Sequence, residues 1–217
     1  MSPQQYYEDG LRVPYVASWQ YEDTFMPTPV ERRHGVGGAG IGYLGEARTG
    51  GVDRRNGVLW VRAPLARGRG RARLGSVHPL RQRQAMSHML CQVCGADTFD
   101  RSDERHMVLA RGETPIREGE RTASPPVHES CAAESVRDCP HLRRGHVAAL
   151  VRHFQPWGVA GLLHHPKTLK IRYSGTRDGL TFVGFGDPHI RWTLAARDVS
   201  TLHGVEAIDL DDLHLTA

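Results

Sequence analysis

Cys91-Gln-Val-Cys94-Gly95 and, further along, Val127-His128-Glu-Ser-Cys131 are the two stretches on which the reading of this 217-residue chain turns. A Cys-x-x-Cys pair followed at a distance by a His-x-x-Cys pair supplies four soft or borderline ligands, the number and kind used by closed tetrahedral zinc sites. With zinc to sulfur at about 2.3 Å, ligands of one ion must lie within roughly 4 Å of each other. The spacing therefore selects Cys91, Cys94, His128 and Cys131 as one set. Cys139 lies two helical turns beyond Cys131, about 12 Å along a helix axis, and joins the same ion only if the helix breaks. The alternative set replaces His128 by Cys139 or His141 on such a broken end.

The neighbouring residues say what holds these motifs. From Pro79 to Leu90, the residues Leu80, Ala85, Met86, Met89 and Leu90 mark one side of a short helix that delivers the chain into Cys91. A redox Cys-x-x-Cys normally opens a helix after a strand; this one closes a helix and leads into Gly95. Thr98-Phe99 and Met107-Val108-Leu109 are expected to form a hairpin behind the knuckle, with a polar loop over 111–127. A second helix is predicted from His128 to Cys139, stopped by Pro140. Knuckle, hairpin and helix together are the arrangement of a treble-clef-like finger. A catalytic zinc keeps a position open to water and uses three protein ligands, so four candidates point to a structural Zn2+. The zinc deaminase signature is absent, because Glu129 directly follows His128. An HNH nuclease would need a paired histidine where Arg105-His106 offers one, and no catalytic residue is assigned.

The expected fold class is α+β: a central treble-clef-like zinc module with short strands and helices, plus a C-terminal strand and helix unit. The expected divisions are 1–75, an N-terminal arm and strand region with an Arg/Gly-rich stretch; 76–145, the zinc module; and 146–217, the C-terminal unit. Residues up to about 30 show no sustained period and read as an extended arm or peripheral strand. The glycine run Gly35 to Gly45 reads as a flexible loop, since no Gly-Lys-Ser/Thr follows it. Asn56-Gly57 is a hairpin turn signal before the strand Val58–Val61. Val147, Leu150, Val151 and Phe154 fit a helix or a buried strand. Gly158–Leu163, Leu169–Tyr173 and Thr181–Phe185 are predicted strands, the last two joined through Asp178-Gly179. Trp192, Ala195, Ala196, Val199 and Leu202 form a helical stripe ending at Gly204, followed by a strand over Val205–Leu210.

Charge and composition bound the partners. The formal net charge is +4, from 28 Lys and Arg against 24 Asp and Glu. Lys167 and Lys170 are the only lysines. Guanidinium groups suit phosphate and carboxylate bidentately, and Arg67, Arg69, Arg71 and Arg73, with Arg81 and Arg83 on the following helix, are the expected contacts to DNA or RNA. The other readings are a protein-assembly module anchored by Trp19, Trp60, Trp157 or Trp192, and a small-molecule enzyme stapled by structural zinc. No apolar run reaches the roughly 18 residues a membrane span requires. The start, Met1-Ser-Pro-Gln-Gln-Tyr6, has neither a basic nor an apolar leader region, so a reducing cytoplasm is the expected compartment. The other histidines, His164, His165 and His189 among them, read as surface or packing residues.

The runs Val77-His-Pro-Leu-Arg-Gln-Arg-Gln-Ala-Met86, Leu90–Gly95, Pro125-Pro-Val-His-Glu-Ser-Cys131 and Cys139-Pro-His-Leu142 resemble a group of actinobacterial and phage-associated zinc-binding proteins. The resemblance covers mainly the middle third of the chain and, more loosely, Gly184–Leu194. In that group the second ligand pair usually looks like Cys-x-x-Cys, so the resemblance implies that His128 is a ligand swap still suited to zinc. It implies a metal site and no activity.

Overall fold

The structure is a computed structural model that describes residues 3–22, 30–35, 38–44, 46, 53–176 and 178–210. It is a mixed, strand-rich fold. The first half contains β1 (Tyr7–Glu8), β2 (Leu11–Arg12), β3 (Ala17–Trp19), β4 (Val30–Gly35), β5 (Gly38–Tyr43), β6 (Arg54–Arg55), β7 (Val58–Trp60), β8 (Ala72–Val77) and helix α1 (Pro79–His88). The second half contains β9 (His106–Arg111), β10 (Arg121–Thr122), helix α2 (Glu129–Asp138), β11 (His146–Val151), β12 (His153–Leu163), β13 (Thr181–Gly184), β14 (Thr193–His203) and β15 (Glu206–Ile208).

The main sheet runs β13-β12-β14-β7-β6, with β10 also on β14. β14 is its axis. Antiparallel β12 lies along one side, and parallel β7 and antiparallel β10 share the other. Between the β7 and β10 contacts β14 has a gap, and α1 fills it. The buried Gln82 side chain accepts from Asp198 N–H at 2.9 Å and donates to Asp198 C=O at 3.0 Å and Ala123 C=O at 2.8 Å. A side-chain amide here supplies the backbone hydrogen bonds that a neighbouring strand would have made. A second sheet, β15-β11-β9, packs with α2 around Met107, Leu109, Val127, Ala132, Ala148 and Leu150. Strand pairing crosses both expected divisions: β7 pairs with β14, and β9 of the middle region pairs with β11 beyond residue 145.

Several expectations are corrected. The stripe from Trp192 to Leu202 is a short 3-10 turn, Pro188–Trp192, followed by strand β14. Thr193, Leu194 and Ala195 are all fully buried, because both faces of the sheet are covered. The β12–β14 register also skips Trp157 on one strand and Ala196 on the other. Burial on two faces and an extra residue at each bulge erase the alternation that marks a strand, and β-branched Thr193, Val199 and Thr201 suit the extended backbone. Leu169–Tyr173 is not a strand: Leu169 turns at φ +57° and only Ile171 bridges, to His164. The stretch with Val147, Leu150, Val151 and Phe154 is strand, shared by β11 and β12.

The glycine run is a strand, not a loop, over Gly38–Tyr43; Val36, Gly37 and Gly45 lie outside the described residues. A Cβ on Gly40 would come within 2.7 Å of the Arg191 carbonyl oxygen, so glycine is what admits the 3-10 turn against this hairpin. Asn56 and Gly57, at φ +51° and +77°, form the expected turn between β6 and β7. Thr98-Phe99 forms no hairpin with Met107–Leu109. The Thr98 amide and hydroxyl instead both donate to Met89 C=O, each at 2.9 Å, closing the end of α1, while β9 pairs with β11.

The N-terminal segment is tied down by a buried ion pair. Arg81, in the first turn of α1, donates to Glu22 from Nη1 at 2.7 Å, and from Nε and Nη2 to the carbonyls of Tyr15 and Ala17, both at 2.7 Å. Glu22 also accepts from the amides of Trp19 and Ala66, both at 3.0 Å. Burial pushes the Glu22 carboxyl up, but the Arg81 and Ala66 hydrogen bonds and the Arg81 charge outweigh it and hold it below its ordinary 4.5. With every polar atom partnered, removal of one charge strands the other in the interior, at a cost of about 3–5 kcal/mol. Glu22→Gln is expected to lower the urea midpoint correspondingly. Because the folded carboxyl titrates below the unfolded one, the pair's contribution is complete above pH about 4.5 and is lost as the pH falls below it. Urea titrations at about pH 5 and about pH 3 should therefore show a larger acid loss for the wild type than for Glu22→Gln.

Candidate metal centre

Helix α1 ends with Met89 in the left-handed conformation at φ +50°, which turns the chain sharply into Cys91. The knuckle then closes on itself. Cys91 N–H donates to Ala96 C=O at 2.7 Å and Gly95 N–H to Cys91 C=O at 2.8 Å. Gly95 sits at φ +77°, and a Cβ there would lie 2.6 Å from the Tyr15 ring, so both conformation and space require glycine. From the other direction α2 presents Cys131 in its first turn. His128 occupies the N-cap position but makes no capping hydrogen bond, its imidazole being turned toward the knuckle.

These elements bring Cys91, Cys94, His128 and Cys131 together, with one ligand atom from each all within 4.8 Å of one another. None of the cysteines forms a disulfide. His128 Nδ1 lies 3.3 Å from Cys94 Sγ, and Nε2 lies 2.7 Å from the Asp97 carbonyl oxygen. A carbonyl only accepts, so Nε2 carries the proton and the Nδ1 lone pair faces the sulfurs. This is the outer-sphere arrangement that fixes the tautomer of metal-binding imidazoles. Arg12 Nη1 reaches Cys131 Sγ at 3.7 Å while its Nε faces Glu134 at 3.3 Å.

The protonation pattern follows from crowding. Hydrogen bonds from the Cys131 and Cys91 thiols hold Cys94 far below the usual thiol range. Cys131, facing Cys91 and Cys94, is pushed far above it. Cys91 is drawn down by Cys131, but its contact with Cys94 and its burial carry it upward overall. Protein alone therefore stabilises one thiolate and keeps the other sulfurs protonated; a bound cation would take the place of those protons.

The other candidate ligands are elsewhere. Cys139 caps the far end of α2 and lines an apolar cavity of about 330 Å³ with His141, Leu11, Leu74 and Val93. A polar cleft of about 480 Å³ opens beside His128, and both of its arginines are already paired: Arg101 with Asp103 at 2.9 Å and with Glu129, and Arg105 with Asp103 at 2.8 Å. His106 is buried, bonded through Nδ1 to the Thr98 hydroxyl at 2.8 Å and packed edge-on to Phe99 and Phe154. Burial pushes its pKa down.

The arginines nominated for nucleic acid divide into two groups. Arg81 is the buried partner of Glu22, Arg83 stacks over the Trp60 ring at 4.6 Å, and Arg67 lies between the rings of Tyr6 and Tyr15. Arg69 and Arg71 are exposed, Arg71 within 3.2 Å of Glu8, and Arg73 is half-buried on β8. Trp19 and Trp60 are core residues, Trp157 lies under Arg121 at 3.9 Å, and Arg32 stacks on Trp192. Sequence reasoning missed Arg12, Tyr15 and Gln5, which contact the ligand loops. His128 itself was visible in the His-x-x-Cys spacing; its N-cap position adds no signal, since His78 at the start of α1 is also an N-cap histidine and does accept from the Arg81 amide.

No protein-family model matches the chain, and no curated protein or solved structure matches it either. The candidate site therefore rests on its own geometry. Cobalt(II) titration checks the ligand set: sulfur-to-cobalt charge-transfer absorption is expected to saturate at one ion per chain in the wild type and in Cys139→Ser. The same band should weaken or vanish in Cys94→Ser and His128→Ala.

Proposed function

We propose that the Cys91, Cys94, His128 and Cys131 cluster holds one zinc ion in a closed, structural, tetrahedral site, and that the chain is an accessory or regulatory binding factor. The observation that carries this reading is the convergence of three sulfurs and a correctly oriented imidazole nitrogen within 4.8 Å. Thiolate and imidazole ligands suit zinc above the harder divalent ions. Four protein ligands leave no position for a reacting water, which favours a stapling role over catalysis at this ion. The order knuckle, strand, helix supports a treble-clef-like classification with the hairpin replaced by the β9–β11 pairing. Free cysteines fit a reducing cytoplasm.

For a nucleic-acid partner, support comes from Arg69 and Arg71, exposed and adjacent to Arg73 on β8. Arg67, Arg81 and Arg83 are assigned to the interior contacts described above. Metal analysis of the purified chain is expected to give one zinc per molecule, and a strong chelator should lower the melting temperature. A chain free of metal, with reduced thiols and unchanged melting on adding zinc, would overturn the assignment. For the partner, fluorescence anisotropy with labelled DNA and RNA should show affinity falling with salt. Arg69→Ala with Arg71→Ala should reduce that salt slope by about 1–2; binding insensitive to both would remove nucleic acid from the account.

A further inference from the structure

The segment 3–16 meets the ligand loops at several separate points. Tyr15 N–H donates to Val93 C=O at 2.8 Å and Val16 N–H to Gln92 C=O at 3.2 Å, so the segment reads the backbone between the two knuckle cysteines. Gln5 Nε2 donates to the carbonyl of Cys94 itself at 2.8 Å. The Tyr15 ring covers Gly95, and Arg12 reaches Cys131 Sγ. The segment thus touches both halves of the cluster, the knuckle through Gln5, Tyr15 and Val16 and the first turn of α2 through Arg12. A divalent ion with three thiolates and a neutral imidazole carries one net negative charge, and the Arg12 guanidinium is placed to offset it.

The same docking carries a cost elsewhere. Tyr6 and Tyr15 lie 5.1 and 5.0 Å from the Arg67 guanidinium, one ring to each. Arg67 Nε and Nη2 are buried with no hydrogen-bond partner among the described residues. A desolvated guanidinium with unmade hydrogen bonds opposes the closed arrangement, an effect the two rings offset only in part by cation–π attraction, and lifting Tyr6 and Tyr15 would return it to water. Downstream of this segment the attachment is independent of the cluster: β3 pairs with β8, and Glu22 is held by Arg81. The chain thus has a free-standing anchor at Ala17–Glu22. The segment before it keeps some contacts of its own away from the ligand loops, with the Tyr15 and Val16 carbonyls accepting from Arg81 Nε and His78 N–H and Tyr6 packed on Trp19, and its remaining docking contacts are those to the knuckle and Cys131.

We propose that occupancy of the cysteine and histidine site latches segment 3–16 onto the metal module, and that loss of the ion loosens the segment from the ligand loops and uncovers Arg67. This inference rests on the reading of the cluster as a metal site. The coupling is reciprocal by thermodynamic necessity: if the ion strengthens docking of the segment, the segment strengthens binding of the ion by the same factor. Arg12 and Tyr15 are positioning residues in this scheme, acting on the ion through Cys131 and the knuckle. Outer-sphere contacts of this kind change metal affinity by about 10–100-fold.

Hydrogen–deuterium exchange on the full chain, zinc-loaded and chelator-stripped, tests the latch. On stripping, the amides of Tyr15 and Val16 are expected to lose at least about tenfold in protection, while those of β12 and β14 keep theirs. Phenylglyoxal labelling of Arg67 should rise in parallel. Arg12→Ala and Tyr15→Ala should each weaken zinc binding, measured by competition with a chromophoric chelator, and Arg12→Lys should restore part of the loss. Unchanged protection of 5–16 on stripping, loss of protection throughout the sheet, or wild-type zinc affinity in both alanine variants would overturn the latch. Failure of the wild-type chain to take up zinc at all would instead defeat the metal-site reading itself, so the two failures are distinct.

Discussion

Three sulfurs and an imidazole nitrogen held this close together cannot all offer lone pairs and negative charge to one another without a counter-charge between them. That constraint organises the middle of the molecule. It fixes where α1 must end, because Cys91 follows the left-handed turn at Met89. It fixes where α2 must begin, because His128 gives up capping in order to face the knuckle. It also places Cys91 and Cys131 inside the same apolar cluster as Met107, Val127, Ala148 and Leu150, so the sulfur site and the β9–β11 core are one packed unit.

A second constraint of different chemistry lies close by. Glu22 and Arg81 are a fully partnered ion pair inside the protein, and they hold the segment leading out of the N-terminal region against the start of α1. The two ends of α1 therefore have separate tasks. Its first turn supplies the arginine that secures β3, and its last turn delivers the knuckle. Between them Gln82 completes the backbone hydrogen bonding of β14. A single ten-residue helix thus connects the ion pair, the central strand and the sulfur cluster.

What could be read from the sequence was what is local. The ligand set was legible because two x-x spacings encode it, and the Asn56-Gly57 hairpin because a turn type demands those residues. Both helices were legible from their borders, Pro79 at one start and Pro140 beyond the other end. β14 was not, since its alternation is cancelled by burial on both faces and by the bulge at Ala196. Nor was the fate of the arginines: Arg81 looks like any surface cation until Glu22, far back in the chain, is brought against it. Arg12 lies 119 positions from the sulfur it touches, and no pattern announces such a contact.

The parallel pairing of β7 with β14 sets an order of events for the growing polypeptide. Leu59 and Trp60 meet their parallel-strand partners at Leu194 and Ala195, so a nascent chain ending before β14 leaves the apolar β7 side chains without their final cover. Antiparallel hairpins such as β6–β7 can close as they emerge, but the sheet they belong to must wait for its axis. The sulfur cluster, whose last member is Cys131, shares its packed core with Ala148 and Leu150 and so must likewise wait until β11 has been made.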